Sequence, residues 1–289
     1  MLVLFTDTDT DLTPVDAKEY GYKLISMPYI IDDKVVYPYV DFETFDYKKF
    51  YGMLRNGVLP KTCGLSPETY VNYFEPEFKK GNDILYVHFS AAMSGTFNAM
   101  HLAIEELKEK YPERMVYTID TKGITICSLN IVKEIGDMYK KGKNIDEILE
   151  WAKVEVDKFA TYFYADNLKF FKLSGRISNL SATLGTVFGI HPIIYMNSDG
   201  QMLSISKAKG KNKTLNKLVD YVVELEDNIK EHRVIIAHSD AIELAEELGE
   251  KLRQKFGNDL NIEYVVVNPT AGSHCGPSSI GVSFHAKHR

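Results

Sequence analysis

The sequence predicts an α/β protein of two domains, each built on a largely parallel sheet. Short apolar runs rich in strand-forming residues alternate with segments of helical spacing, and this alternation starts again near residue 160. A length of 289 residues provides enough chain for two moderate hydrophobic cores. We therefore expect an N-terminal domain over residues 1–160 and a C-terminal domain over residues 161–289.

Composition and charge argue against several classes of protein. The hydrophobic content of 45% and the charged content of 26% are ordinary for a soluble protein. The net charge is −6, and no stripe of Lys and Arg offsets it, so binding to nucleic acid is not expected. No apolar run approaches the ~18 residues that cross a bilayer, so we expect at most transient membrane contact.

The N-terminal residues and the cysteines indicate in which cellular compartment the protein is expected. Residues 1–12 lack the basic segment and the cleavage site of a signal peptide. The three cysteines, Cys63, Cys127 and Cys275, are far apart and show neither a zinc spacing nor a disulfide framework. A cytoplasmic location is therefore expected.

The first elements of the chain follow from its apolar runs. A strand over residues 2–5 leads into an Asp/Thr run at residues 6–11. The three aspartates of this run could hold Mg²⁺, or they could form turns that cap the next helix. The next expected elements are a helix over 15–20, a strand over 24–31, a paired strand over 35–40, a helix over 45–56 and a helix capped by Ser66.

Residues 82–111 predict the central strand–loop–helix unit. Residues 84–89 are an apolar run of strand formers, and helical spacing begins at Thr96. The loop between them is small, uncharged and rich in hydroxyl groups. Free backbone N–H groups and the positive end of a helix dipole converge at such a junction, which suits a carboxylate or phosphate oxygen. Ser94 or Thr96 could equally serve as an ordinary helix cap.

Strands and helices continue to alternate toward the C-terminus. Residues 170–192 differ because their apolar side chains are interspersed with glycine, serine and alanine, which favours close helix packing or a slot for a slender ligand. The expected elements are strands over 115–120, 161–165, 234–238, 262–267 and 280–284, helices over 128–141, 145–159, 215–228 and 241–256, and a hairpin over 192–204.

Two further loops contain candidate functional residues. Residues 60–68 include Thr62, which could also be a surface threonine of a turn. Residues 268–279 include His274 between two glycines, a setting in which a core histidine is less expected. A serine hydrolase could use Ser94 and His274, but Ser94 is not in a G-x-S-x-G motif and no acid is evident. A regulatory or structural protein with an incidental cavity is a third interpretation.

Other common chemistries lack their motifs. The chain has no G-x-x-x-x-G-K-[ST] sequence for phosphoryl transfer, and an Asp/Thr run replaces the G-x-G-x-x-G that a dinucleotide fold places after its first strand. Cys and His spacing typical of zinc is also missing. Hydroxyl groups, one histidine and helix N-termini without an activating partner favour a recognition site over a reactive one.

The chain resembles the DegV family at six places in the family's order. Residues 6–12 match its TDS-x-x-DL opening, residues 61–66 resemble its KTSQPS, and residues 90–97 resemble its S-S-x-x-SGTY. Later, residues 174–177 resemble its GGRIS, residues 207–210 its K-x-RG, and residues 272–277 its G-x-HTGPG. Each motif is weak alone, but together they span essentially the whole chain.

The resemblance implies a carrier that binds one long-chain fatty acid, such as palmitate, between two α/β domains. It implies no cofactor, no metal and no turnover of its own, and a separate fatty acid kinase that converts the presented lipid to acyl phosphate. The implied carboxylate site comprises Thr62, Ser94, Gly95, Thr96, Lys209 and His274. The implied wall of the acyl-chain tunnel comprises Phe170, Leu173, Ile177, Leu184, Phe188 and Ile190.

Several positions depart from the family motifs. Cys63, Gly64 and Leu65 replace Ser, Gln and Pro beside Thr62. Lys209 replaces an arginine, which exchanges a planar fork of donors for a point charge. Ser278 stands where the family usually has glycine. These changes affect the expected head-group site more than the expected fold.

Overall fold

The computed structural model describes residues 1–175 and 189–289. Its strands and helices alternate along the chain, as the sequence predicts. The described strands are β1 (Leu2–Asp7), β2 (Tyr22–Ile25), β3 (Tyr29–Ile31), β4 (Lys34–Val36), β5 (Lys61–Thr62), β6 (Asp83–His88), β7 (Val116–Asp120), β8 (Phe159–Tyr164), β9 (Ile190–Met196), β10 (Met202–Lys209), β11 (Val234–His238), β12 (Ile262–Val266) and β13 (Ile280–His285).

Helices connect most of these strands. The described α-helices are α1 (Pro14–Tyr20), α2 (Tyr47–Arg55), α3 (Pro67–Lys79), α4 (Thr96–Lys110), α5 (Ile126–Lys140), α6 (Ile145–Glu155), α7 (Lys169–Leu173), α8 (Lys211–Leu225), α9 (Ile242–Phe256) and α10 (Pro269–Cys275). Short 3₁₀ turns at Thr8–Thr10, Ala91–Met93 and Val156–Lys158 complete the description.

The strands form two main sheets and one small one. A four-stranded sheet has the order β2-β1-β6-β7, and its neighbouring strands are parallel. A six-stranded sheet has the order β10-β9-β8-β13-β11-β12. A small antiparallel sheet of β4, β3 and β5 places Thr62 opposite Tyr29. The α/β class and a parallel sheet are therefore confirmed.

The six-stranded sheet corrects the expectation of largely parallel sheets in both domains. Four of its five strand pairs are antiparallel, and β11 with β12 is the parallel pair. Two features cause this. β9 and β10 are joined by a tight turn at residues 197–201, and β13 enters antiparallel between β8 and β11. The domain division at residue 160 stays a prediction.

Local differences from the predicted elements have identifiable causes. The strand expected over residues 24–31 is divided into β2 and β3, because Pro28 cannot donate a ladder hydrogen bond. The region expected as a loop over 268–279 contains α10, which Asn268 caps by accepting from Ala271 N–H, with Pro269 at the first helical position. This start signal outweighs the glycine and serine content that suggested a loop.

Helix α5 lies in the core between the two main sheets. Its residues 126–133 are all buried, which is typical of a helix covered on every side. One apolar cluster joins it to Leu4 and Leu85 of the parallel sheet and to Ile235 of the six-stranded sheet. The position of α5 therefore couples both sheets.

Close packing at Gly136 of α5 generates a test of this arrangement. A Cβ atom at Gly136 would lie 2.7 Å from Cδ1 and 2.8 Å from Cβ of Tyr20 in α1. We expect Gly136→Ala to lower the free energy of unfolding by about 1–3 kcal/mol, because overpacking outweighs the helix preference of alanine. Urea unfolding followed by circular dichroism measures this change.

The matched control is Gly52→Ala in α2, where no atom lies within 4 Å of the added Cβ. There the better helix propensity of alanine should stabilise the protein by up to about 1 kcal/mol. Equal effects of the two substitutions would contradict the tight packing of α1 on α5.

Candidate ligand-binding cavity

A cavity opens at the carboxyl ends of the parallel strands. The loops that follow β1, β6 and β7 contribute Asp9, Ser94 and Thr125 to its wall. The chain runs from β1 to the neighbour β2 on one side and from β6 to the neighbour β7 on the other, so the strand order reverses between β1 and β6. A crevice at such a reversal is the usual ligand site of an open α/β sheet.

The six-stranded sheet forms the facing wall of the cavity. Phe163 of β8, Met196 of β9 and Gly281 of β13 line it. The cavity and its open mouth enclose about 1090 Å³. Its further apolar lining includes Met27, Phe89, Met93, Phe171 and Met202. A largely apolar wall with a few polar groups is the composition of a small-molecule site.

Thr62 and His274 meet at this cavity although they are far apart in sequence. Thr62 Oγ1 lies 3.1 Å from His274 Nε2, a hydrogen bond across 212 positions of the chain. The small antiparallel sheet holds Thr62, and α10 holds His274. Both residues line the cavity, as does Ser94. The structure thus brings together three polar residues that the sequence placed in three separate loops.

Thr96 organises the loops around these residues. Its Oγ1 accepts a hydrogen bond from Leu65 N–H at 2.9 Å and lies 3.1 Å from the Tyr70 hydroxyl oxygen. Its own N–H donates to Ser94 Oγ at 3.3 Å. Thr96 also lines the cavity, but its buried side chain ties the loop of Thr62 to the loop of Ser94. Ser94 therefore accepts a hydrogen bond from the first residue of α4, as the helix-cap interpretation expects. Ser94 and Thr96 also line the cavity, as the ligand-site interpretation expects.

Other predicted site residues lie elsewhere. Gly95 is the N-cap of α4 and is not among the residues that line the cavity. Lys209 is exposed at the end of β10, where it pairs with Ile190, and neither residue lines the cavity. The cavity as described is therefore without Lys209, which stands where the family motif has an arginine.

The predicted tunnel wall is also revised. Leu173 is 57% exposed and Phe170 packs in a separate cluster with residues of α2, so neither lines the cavity. Phe171, the next residue of α7, does. Ile177, Leu184 and Phe188 lie outside the described residues.

Phe170 nevertheless packs against the end of α10, the helix that contains His274. A Cβ atom at Gly276 would lie 2.2 Å from Cδ2 of the Phe170 ring, and Gly276 ends α10 with a φ of 70°. Only glycine allows both this backbone conformation and this close approach without strain. The contact helps to fix the end of the helix that carries His274.

Asp7, the last residue of β1, and Asp11, four residues later, are buried and hydrogen-bonded within the fold. Asp7 accepts from Tyr86 O–H at 3.0 Å and from Phe89 N–H at 3.2 Å. Asp11 accepts from the backbone N–H of Asn268 at 2.8 Å and from its side-chain amide at 2.7 Å. Burial raises the pKa of Asp7 and of Asp11 to about 7 in each case, although these hydrogen bonds oppose the shift.

Asp9 and Thr161 are cavity residues that the sequence did not single out for this role. Asp9 belonged to the possible Mg²⁺ run, but within the described residues no three His, Cys, Asp or Glu side chains form a group that could hold a metal ion. Burial raises the pKa of Asp9 well above its usual value, and the charges of Asp7 and Asp11 add to this effect. Side chains two positions apart in a strand share a face, so Thr161 lies on the same face of β8 as Phe163, and both residues line the cavity. This spacing is the sequence signal that could have identified Thr161 as a cavity residue.

A bilayer crossing would need a long apolar helix. Among the helices of residues 1–175 and 189–289, none meets that requirement of length and hydropathy.

Comparison with known proteins gives matches along nearly the whole chain. The family model described as "Uncharacterised protein, DegV family COG1307" matches residues 1–287. The DegV domain-containing protein CPE0026 of Clostridium perfringens is 36% identical over 283 residues, which cover 98% of this chain and 96% of that protein.

Solved structures show the same fold at lower identity. A fatty acid (stearic acid)-binding protein from Eubacterium ventriosum has a TM-score of 0.87 and 20% identity, with 99% of each chain covered. The fatty acid kinase B3 protein of Streptococcus pneumoniae, loaded with linoleic acid, has a TM-score of 0.84 and 18% identity. That alignment covers 99% of this chain and 100% of the other.

The raised pKa of Asp11 leads to a pH-dependent prediction. The folded state keeps a proton that the unfolded chain releases above about pH 4. The stability this proton contributes is complete below that pH and is lost as the pH rises through about 7. Relative to Asp11→Asn, which cannot titrate, the wild-type protein should lose about 1 kcal/mol or more of unfolding free energy between pH 5 and pH 8.

Urea titrations of both proteins across this range measure the difference. Asparagine is a suitable replacement because Asp11 has a φ of 61°, which asparagine tolerates. Asp33→Asn, at an exposed turn position with a φ of 57°, controls for the substitution itself. A difference between wild type and Asp11→Asn that does not change with pH would refute the raised pKa.

Proposed function

The chain belongs to the DegV family, and from that premise we propose that it binds one long-chain fatty acid in the cavity. The carboxylate lies at Thr62, Ser94 and His274, and the acyl chain extends along the apolar wall. The observation that carries this proposal is the convergence of these three residues on one cavity whose remaining lining is largely apolar. The stearic acid-binding relative of similar fold supports it.

The energetics assign different tasks to the two parts of the ligand. Burial of each CH₂ group contributes roughly 0.8 kcal/mol, so a chain of ~16 carbons contributes around 10 kcal/mol before entropic costs. A buried carboxylate needs donors, which the hydroxyl groups of Thr62 and Ser94 and the His274 ring supply. The acyl chain therefore provides most of the affinity, and the polar groups set the orientation.

We further propose that the protein acts as a carrier and does not turn over its ligand. A separate fatty acid kinase would phosphorylate the exposed carboxylate to an acyl phosphate. Similarity to the fatty acid kinase B3 protein supports this role. The hydrolase alternative draws less support, because His274 Nε2 is hydrogen-bonded to Thr62 and Ser94 Oγ accepts from Thr96 N–H.

Loss of the hydroxyl group of Thr62 or of Ser94 should weaken binding of the fatty acid carboxylate. We expect Thr62→Ala and Ser94→Ala each to raise the dissociation constant for palmitate by about tenfold, because a hydrogen bond to a charged group contributes about 1.5 kcal/mol or more. Displacement of a fluorescent fatty acid from delipidated protein measures this change.

The matched control is Thr118→Ala, an exposed threonine of β7 outside the cavity, which should leave the dissociation constant unchanged. Wild-type affinity in both site variants would place the carboxylate elsewhere. Covalent labelling of Ser94 by a fluorophosphonate would instead favour the hydrolase.

The carrier proposal predicts ATP-dependent loss of the bound lipid. Protein loaded with radiolabelled palmitate and mixed with a bacterial fatty acid kinase and Mg-ATP should yield acyl phosphate, trapped as the hydroxamate. The yield should fall several-fold with His274→Ala, because the carboxylate loses a partner that orients it. Product from free palmitate in the absence of the carrier would show that presentation is unnecessary.

A further inference from the structure

Two buried side-chain oxygen atoms, both in residues that line the cavity, have no hydrogen-bond partner among the residues that the structure describes. They are Oδ1 of Asp9 and Oγ1 of Thr161. Asp9 is 6% exposed and Thr161 is 4% exposed, and both residues line the cavity. Buried polar atoms are normally paired, so two such atoms in residues of one cavity call for an explanation.

Both residues lie beside α5. Asp9 is in the 3₁₀ turn that packs on this helix, and its carbonyl accepts a hydrogen bond from Thr125 N–H at 2.8 Å. Thr161 is in β8, which packs on the same helix, and it pairs with Ser283 of β13. Asp9 therefore comes from the turn at the carboxyl end of β1 in the parallel sheet, and Thr161 comes from the six-stranded sheet.

Asp9 is not required for the hydrogen bonds that hold its own loop. Asp7 and Asp11 supply the side-chain acceptors of this segment, toward Tyr86, Phe89 and Asn268. Asp9 also falls at one of the two positions that the TDS-x-x-DL motif leaves open. Asp9 thus lines the cavity, and its Oδ1 has no hydrogen-bond partner in the described residues.

The hydrogen-bonding capacity of Asp9 and Thr161 indicates which chemical group of a ligand would bind to them. A saturated acyl chain would leave both atoms unpaired, at the cost that unpaired buried polar groups carry. Oδ1 of Asp9 can accept a hydrogen bond, Oγ1 of Thr161 can donate as well as accept, and burial raises the pKa of Asp9 above its usual value. The pair therefore offers one acceptor and one group that both donates and accepts. A neutral hydroxyl group, which also donates and accepts, complements it and brings no second charge.

We propose that the cavity holds an acyl chain that bears a hydroxyl group along its length, with this hydroxyl hydrogen-bonded to Asp9 on one wall and to Thr161 on the other. The inference rests on the proposed fatty acid function and narrows its ligand class to hydroxylated long-chain fatty acids. A bound water could present the same hydroxyl chemistry to a plain chain, and the experiment separates these two sources.

The test measures dissociation constants of the delipidated full-length protein for stearate and for a panel of monohydroxystearates with the hydroxyl at successive carbons. One position along the chain should bind about tenfold or more tightly than stearate, because it pairs the buried atoms. A flat panel, with every isomer equal to or weaker than stearate, overturns the proposal and assigns the two atoms to water. Failure to bind any of these lipids would instead refute fatty acid binding itself.

Two variants locate the effect. Asp9→Leu should abolish the preference, so that stearate and the hydroxylated lipid bind with similar dissociation constants, and Thr161→Val should reduce the preference with little change in shape. Asp9→Asn, which keeps a donor and an acceptor, should retain it and covers the case in which Asp9→Leu does not fold. A preference that survives in Thr161→Val and in a folded Asp9 variant without hydrogen-bonding capacity overturns the assignment.

Discussion

Helix α5 is buried on almost every side because both main sheets pack against it. Two of its polar residues donate hydrogen bonds inside the protein: Lys133 Nζ donates to Glu263 at 2.5 Å, and Asn130 Nδ2 donates to the Arg233 carbonyl at 3.3 Å. These contacts join the helix to the six-stranded sheet, whereas its apolar residues pack on Leu4 and Leu85 of the parallel sheet. Because α5 begins at the cavity, the same packing fixes the two walls relative to each other.

The electrostatics of the cavity follow from this burial. Three aspartates lie close to a site proposed for an acidic ligand, and full ionisation of all three would repel it. Burial raises the pKa values of Asp7 and Asp11 to about 7 and that of Asp9 well above its usual value, so their negative charge near neutral pH is reduced. Neutral donors can then hold a carboxylate although Lys209 lies outside the cavity.

The sequence was most informative where pattern and packing agree. The strand over 234–238 has the predicted bounds, because five buried residues between polar flanks leave little ambiguity. Motifs identified Thr62, Ser94 and His274, which line one cavity. The family resemblance implies Phe170 as part of the tunnel wall, whereas the neighbouring Phe171 lines the cavity, because the start of a five-residue helix sets which side chain faces inward. The pairing of β13 with β8 and β11 depends on contacts between distant segments, which local patterns do not encode.

The central place of β13 has a consequence during synthesis on the ribosome. Residues 280–285 insert between β8 and β11, so these two strands have no partner on that side until residues 280–285 emerge. A polypeptide interrupted before residue 280 would expose two open strand edges. It would also expose the apolar side chains that pack against Val282 and Phe284 in the complete sheet. Such fragments would expose apolar surface that chaperones and proteases bind, and the wall of the cavity that β13 lines would form only after residues 280–285 have been synthesised.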